Sequence, residues 1–283
     1  MLTAAPPMLV APKATKNEIS VSGDAMLGQG TVTLPLGYSL NKSLGGNIVK
    51  PDAFSVPRNS TYYGGTVSYS YGQAWYVDLS YEQGQSSGSQ IIDTGSLGNL
   101  PSNFTINDTW YQVYVRYTFP SLRGKRFSAY LRAGASFVDS QLADNASNPV
   151  THDTYTQTDT TQDMLANIGF GVGYSLYTSH RLKVGLQFEG EGFFGNRTQT
   201  SLEKLSNDIG FPFVSAGIDN TLYGGIGRAT VRVEYRLGQS GLFKIFADLG
   251  VQGRYTMIQY PGASAPDEML YGPYAKLGIR YAF

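Results

Sequence analysis

An all-β fold, closed into an antiparallel barrel whose strands cross a bilayer, is what the amino-acid sequence predicts. Three observations carry the prediction. Apolar residues recur at every second position through most of the chain, short connections alternate with long ones, and aromatic residues gather at two depths on the apolar face. Alternation of period two gives each strand one apolar and one polar face, and a membrane-spanning barrel turns the apolar face outward to lipid.

Composition agrees with this class. The 283 residues include 21 Tyr, 14 Phe and 34 Gly, and only 15% are charged, a balance that suits strands with aromatic faces better than helices with charged ones. Lys and Arg number 21 and so do Asp and Glu, which removes the positive footprint of a nucleic-acid binder. With no cysteine the chain has neither disulfides nor thiolate chemistry, and this fits an oxidising envelope compartment. No run approaches the roughly 20 apolar residues of a transmembrane helix. The mean hydropathy is −0.20, as low as expected when strands are apolar only at alternate positions. The opening MLTAAPPMLVAPKATKNE lacks a basic segment followed by a long apolar run, so the expectation is a mature chain whose signal peptide has been removed.

The elements follow in order. Val32, Leu34, Leu36, Tyr38 and Leu40 open the series as one apolar face. Ahead of them Ile19 to Leu27 also alternates, and the phase slips at Gly28 and Gly30 as it would at a bulge. Residues 1–29 are therefore expected as a Pro-rich periplasmic or lumenal segment and 30–283 as the barrel. Thr61 to Tyr71 and Trp75 to Glu82 form a hairpin about Gly72 and Gln73. Tyr111 to Phe119, Phe127 to Phe137, Met164 to Leu176, Leu182 to Phe188, Tyr223 to Leu237, Phe243 to Tyr255 and Tyr271 to Phe283 each repeat the pattern. The total is about ten strands, with up to twelve, since Ile19 to Leu27 could extend the first strand or pair elsewhere. Connections at 72–73, 120–126, 178–181 and 238–241 are short, and those at 41–60, 86–106, 139–162, 195–220 and 259–268 are long. Short turns on one rim and long loops on the other point to periplasmic turns, extracellular loops and both termini at the periplasmic rim.

On the apolar face Tyr71, Trp75, Phe119, Phe127, Tyr235, Phe243, Tyr281 and Phe283 lie near the short turns. Tyr63, Tyr81, Tyr111, Phe137, Phe194, Tyr223, Tyr255 and Tyr271 lie near the long loops. Two such girdles mark the two interfaces of a membrane. A soluble β-sandwich also alternates, but it has no reason to place aromatics in two bands.

The chain ends Lys276-Leu277-Gly278-Ile279-Arg280-Tyr281-Ala282-Phe283. A polar residue (Lys276), a glycine (Gly278) and a penultimate aromatic (Tyr281) before a terminal Phe283 resemble the C-terminal β-signal of bacterial outer-membrane β-barrel proteins. The resemblance is porin-like in kind and names no particular family within the superfamily. It implies the barrel assembly machinery as a partner during biogenesis, and outer-membrane lipid and lipopolysaccharide as surroundings.

The polar face lines the lumen. By phase, Arg116, Arg132, Lys183, Arg228, Arg232, Arg236, Lys244, Arg254, Lys276 and Arg280 point inward against Asp78, Glu82, Glu189, Glu191, Glu234 and Asp248. This basic excess suggests a narrow, weakly anion-leaning solute channel; a salt-bridged, non-conducting core serving a structural or adhesin-like barrel is the alternative. Asn167, Gly169, Gly171, Gly173 and Ser175 add little bulk to one wall, leaving room for water or for the N-terminal segment unless the glycines serve strand curvature. Outward-facing Gly190, Gly192, Gly225, Gly227 and Gly253 form a smooth patch suited to contact with a second barrel, or to curvature.

Neither catalysis nor a cofactor is expected. His152 and His180 are the two histidines; His152 beside Asp153 could in principle act as a base, but a lone loop histidine is more often solvated. Asp139, Asp144, Asp153, Asp159 and Asp163 match no compact calcium loop. In the long loops, Ser201 to Ser206 could form a helical turn, and Phe211 to Val214 is apolar enough to fold over the barrel mouth or meet a partner.

Overall fold

A computed structural model describes residues 17–35, 53–72, 74–93, 99–122, 126–147, 154–205, 213–238, 242–260, 263–264 and 268–283. Among the described residues ten full-length strands are present: β1 Glu18–Pro35, β2 Ala53–Tyr71, β3 Trp75–Asp93, β4 Asn99–Thr118, β5 Phe127–Ser147, β6 Thr154–Thr178, β7 Leu182–Leu205, β8 Phe213–Leu237, β9 Phe243–Tyr260 and β11 Glu268–Ala282. A two-residue strand, β10 Ala263–Ser264, extends the edge of β9. Each long strand pairs antiparallel with its sequence neighbour, and β11 returns to pair with β1, so the sheet has no free edge. Closure satisfies every ladder within the sheet, the condition for placing strands in hydrocarbon.

The seam between β1 and β11 corrects the expected N-terminal boundary. Glu18 to Gly30 pair on one side with Ala282 to Leu270 and on the other with Ser70 to Arg58. Residues 18–29 are therefore wall, neither plug nor tail; residues 1–16 lie outside the described residues. The pairing with β2 runs from Glu18 to Pro35 without a bulge, so the phase slip expected at Gly28 and Gly30 does not occur. Ile19, Val21 and Leu27 face out, whereas Met26 and Val32 are buried inside. The expected outward set beginning at Val32 is thus inverted at that residue, because the strand takes its phase from Ile19 and Val21.

The strands outrun the expected loops. β6 and β8 each span 25 residues, whereas roughly 9–11 suffice to cross the bilayer. Much of 86–106, 139–162 and 195–220 is strand. The apolar alternation used to find strands stops where the outer face leaves lipid for water, but the ladder does not. The helical turn expected at Ser201 to Ser206 is likewise the end of β7, which continues to Leu205. Phe211 and Pro212 lie outside the described residues. At the other rim the turns are short, with Gly72 (φ 62) and Gly238 (φ 70) in the left-handed region that favours glycine.

From β2 through β11 the faces fall as alternation predicts, with apolar side chains such as Val67, Leu79, Val113, Leu131, Ile168, Val231, Leu249 and Ile279 exposed on the outer wall. Two aromatic rows flank them. Near the short turns Trp75 packs on Tyr117 (4.8 Å) and Phe243 on Tyr281 (4.5 Å), and Tyr281 stacks on Phe283 (5.9 Å). Nearer the long loops Tyr81, Tyr111 and Phe137 meet at 5.5 and 6.5 Å. An apolar exterior between aromatic belts defines a barrel built for lipid.

Candidate functional site: a divided lumen

Inward side chains fill most of the barrel. On the short-turn side Arg116 pairs with Asp78 (3.0 Å), Arg132 with Glu191 (2.5 Å), Arg228 with Glu189 (3.4 Å) and Arg232 with Asp248 (2.6 Å). Lys244 and Arg280 share Glu234, and Arg280 also approaches Glu18. The arginines stack on tyrosine and phenylalanine faces as well, Arg116 on Tyr76 and Arg232 on Phe246 among them. Such stacking covers the planar guanidinium while its edge pairs with carboxylate. Of the residues expected to line the lumen, Asp78, Glu82, Arg116, Arg132, Lys183, Glu189, Glu191, Arg228, Arg232, Glu234, Lys276 and Arg280 border the cavity on this side, Arg254 borders the one beyond it, and Lys244 and Asp248 pair with Glu234 and Arg232. Lys276 forms no ion pair among the described residues, but it lines the same cavity as Asp24.

The wall of Gly169, Gly171 and Gly173 is not empty. A Cβ on Gly171 would sit 2.2 Å from the Tyr130 ring, one on Gly169 3.0 Å from Arg132 Nε, and one on Gly173 2.6 Å from Ser128 Oγ. The glycines make room for side chains of β5, so neither water nor an N-terminal plug is needed to fill that space. Gly278 does the same for Phe246.

Midway, an apolar and aromatic layer crosses the lumen. Trp110, Val138, Leu165, Phe193, Leu222, Ile226 and Ile258 form one buried cluster and Met26, Tyr62, Leu270 and Tyr274 another. Arg254 joins opposite walls: from β9 it stacks on Trp110 of β4 (4.2 Å) and on Tyr62 of β2 (5.0 Å), and it pairs with Glu82 of β3 (2.6 Å). On either side lies a cavity, about 300 Å³ toward the short turns and about 90 Å³ toward the long loops.

Reasoning from alternation missed the inward charges of β1 and of the strand extensions. Glu18 and Asp24 face in from β1, and Asp108, Asp144, Asp159, Asp163 and Glu268 face in on the long-loop side against Arg58 and Arg197. These acids offset the basic excess counted from the sequence, and with it the basis for an anion preference. Their neighbours hold them firmly. Asp108 accepts from Tyr62 (2.7 Å) and Ser140 (2.6 Å), and Asp163 receives both Arg197 Nε and Nη2 (2.8 Å each). Asp144 is held by Ser102 and Gln90, and Asp159 by Ser201, Gln157 and Gln199. Burial pushes the carboxyls of Asp144 and Asp159 above the ordinary aspartate range, and their hydroxyl and amide donors counter only part of that. His180 is exposed in a short-turn connection, and His152 lies outside the described residues.

On the outer wall, Gly190, Gly192, Gly225, Gly227 and Gly253 border an open groove of about 2000 Å³. A Cβ on Gly227 would meet nothing within 4 Å, and on Gly192 or Gly253 nothing nearer than 3.8 Å. At these three positions the barrel itself does not require glycine.

No protein-family model and no curated protein matches the sequence. Solved structures do. The outer membrane protease OmpT of Escherichia coli aligns with a TM-score of 0.53 at 9% identity, over 95% of this chain and 97% of that one. The translocator domain of the autotransporter NalP of Neisseria meningitidis aligns at 0.47 and 12% identity, over 94% and 88%. At 9% identity the likeness to the protease is one of fold alone: both are closed antiparallel β-barrels.

Proposed function

We propose that the chain resides in a bacterial outer membrane, with its short turns and both termini toward the periplasm, and that its lumen is closed at rest. It then acts by binding at its extracellular mouth and not as an open solute channel. One observation carries this reading: the Arg254 side chain spans the lumen to Glu82 and Trp110 within a buried apolar layer, leaving polar cavities on either side. Binding is favoured over catalysis because the inward carboxylates at the mouth are already engaged by hydroxyl, amide and guanidinium donors. Single-channel recording of the whole chain in a planar bilayer tests the reading. No steady ohmic level is expected; a stable open level in the native protein would overturn it in favour of a narrow channel.

Its partners follow from its outer wall. Lipid and lipopolysaccharide cover the apolar band, and the assembly machinery reads Lys276, Gly278, Tyr281 and Phe283, with Phe283 exposed on the outer wall at the seam. The glycine groove receives a second barrel, a reading supported by Gly192, Gly227 and Gly253, where nothing inside the chain requires glycine. Ala229→Cys, beside Gly227, should form a disulfide-linked dimer in intact membranes, and a monomer under the same oxidation would count against the contact.

A further inference from the structure

The small cavity on the long-loop side of the apolar layer contains two donors with nothing to donate to. Its acids are engaged: Asp108 is bound by Tyr62 and Ser140, Asp159 by Gln157 and Gln199, and Asp163 by Arg197, and Glu268 has a partner as well. Arg254 is committed to Glu82. Arg58 lines the same space and is 8% exposed. Its Nε has no acceptor, and among the described residues it forms no ion pair. Trp110, also a lining residue and 7% exposed, has a buried indole N–H without an acceptor. A buried guanidinium Nε without an acceptor is costly, and an unsatisfied indole N–H adds to that cost. Both donors line one cavity and are free to bind an acceptor brought into it.

The rest of the wall restricts what that acceptor is. Ile106, Val138, Leu142 and Leu222 supply an apolar side, which an inorganic ion would leave unused. Asp108, Asp159, Asp163 and Glu268 line the space and disfavour a multiply charged anion far more than a singly charged one. The cavity of about 90 Å³ equals the share of about three water molecules. We infer that this cavity binds a short-chain monocarboxylate, of about two to four carbons on that volume. Its carboxylate takes the Arg58 guanidinium and the Trp110 indole N–H, and its hydrocarbon chain lies along Ile106 and Leu142. The site goes beyond the closed-lumen reading and does not depend on it, since conductance reports on the layer and titration on the cavity.

Trp110 is itself the probe. Trp75, the other tryptophan, faces out near the short turns, so a Trp75→Phe protein in detergent micelles reports on Trp110 alone. Titration with acetate, propionate and butyrate should give a saturable fluorescence change, with a dissociation constant on the order of 1 mM for so few heavy atoms. Propionamide, which has propionate's shape without its charge, should bind at least tenfold more weakly, and that comparison needs no mutant to fold. Arg58→Gln should cost a similar factor. The inference is overturned if no carboxylate produces a saturable change, if propionamide matches propionate, or if chloride or phosphate competes as well as the carboxylates do.

Discussion

Glu191 shows what the interior demands of single residues. Its carboxylate meets Arg132 at 2.5 Å and accepts the Tyr114 hydroxyl at 2.8 Å, while Asn167 donates to that same Tyr114 oxygen (2.9 Å). Glu191→Gln would leave the Arg132 guanidinium buried without its counter-charge, at a cost of about 3 kcal/mol. Replacing both members, Arg132→Met with Glu191→Leu, removes the stranded charge and should cost less than the single change. Urea unfolding from lipid vesicles measures both. Additive losses in the double variant would show that the pair contributes by packing and not by charge compensation. The neighbouring glycines follow the same logic of space: Gly171 is small because Tyr130 lies over it, and Gly278 because Phe246 does.

At the scale of the strand, the bilayer governs only part of each element. β6 at 25 residues is about 80 Å long at the usual rise, more than twice the hydrocarbon thickness, so the long-loop ends of β5 to β8 stand in water. There Asp144 and Asp159 point inward, and burial holds their carboxyls above the ordinary value of 3.8. The folded extension therefore binds protons more tightly than the unfolded chain does. Its stability rises as pH falls through the raised values toward 3.8 and declines as pH rises through them. Amide exchange at residues 140–147 of β5 and 154–163 of β6, corrected for intrinsic rates, should be slower at about pH 4 than at pH 7, and Asp144→Asn with Asp159→Asn should flatten the difference. A difference that survives the double substitution would place its origin elsewhere.

These extensions also mark where the sequence stopped being legible. Alternation located the membrane portion of β2 through β11, because Val67, Leu131 or Ile279 must face lipid and their neighbours must not. Above the girdle, Thr156, Thr158 and Thr160 face out while Tyr155, Gln157 and Asp159 face in, so neither face is uniformly apolar. The remaining signal, a run of β-branched threonines in TYTQTDTT, is a matter of propensity alone. β1 alternates legibly from Ile19 to Leu27, but the outward phase assigned from Val32 made Gly28 and Gly30 look like a slip and set the stretch apart from the barrel, and with it Glu18 and Asp24 escaped the lumenal inventory. Inward Arg and Glu could be listed from phase. That Arg254 reaches across to Glu82 and Trp110 could not, because it depends on which strands end up opposite each other once the sheet closes.

For the whole molecule, closure of the sheet and closure of the lumen are separate properties. Ten strands enclose more space than the roughly eight whose side chains just fill a barrel, and here the difference is taken up by large inward aromatics and stacked arginines. Tyr62 lies over Gly84, and Tyr114 crosses to Glu191. If the Arg254 layer is what closes the lumen, Trp110→Ala with Arg254→Ala should join the two cavities and give a barrel that stays folded, because the ladder and the lipid-facing wall are untouched. Planar bilayers should then record a steady conductance absent from the native chain. With inward acids and bases nearly matched in number, a salt gradient should give a reversal potential close to zero, where an uncompensated basic lumen would draw it toward the anion value. A silent double variant that still runs as a folded barrel would instead move the seal to the ion-paired half near the short turns, where Arg116, Arg132 and Arg232 would be the next residues to remove.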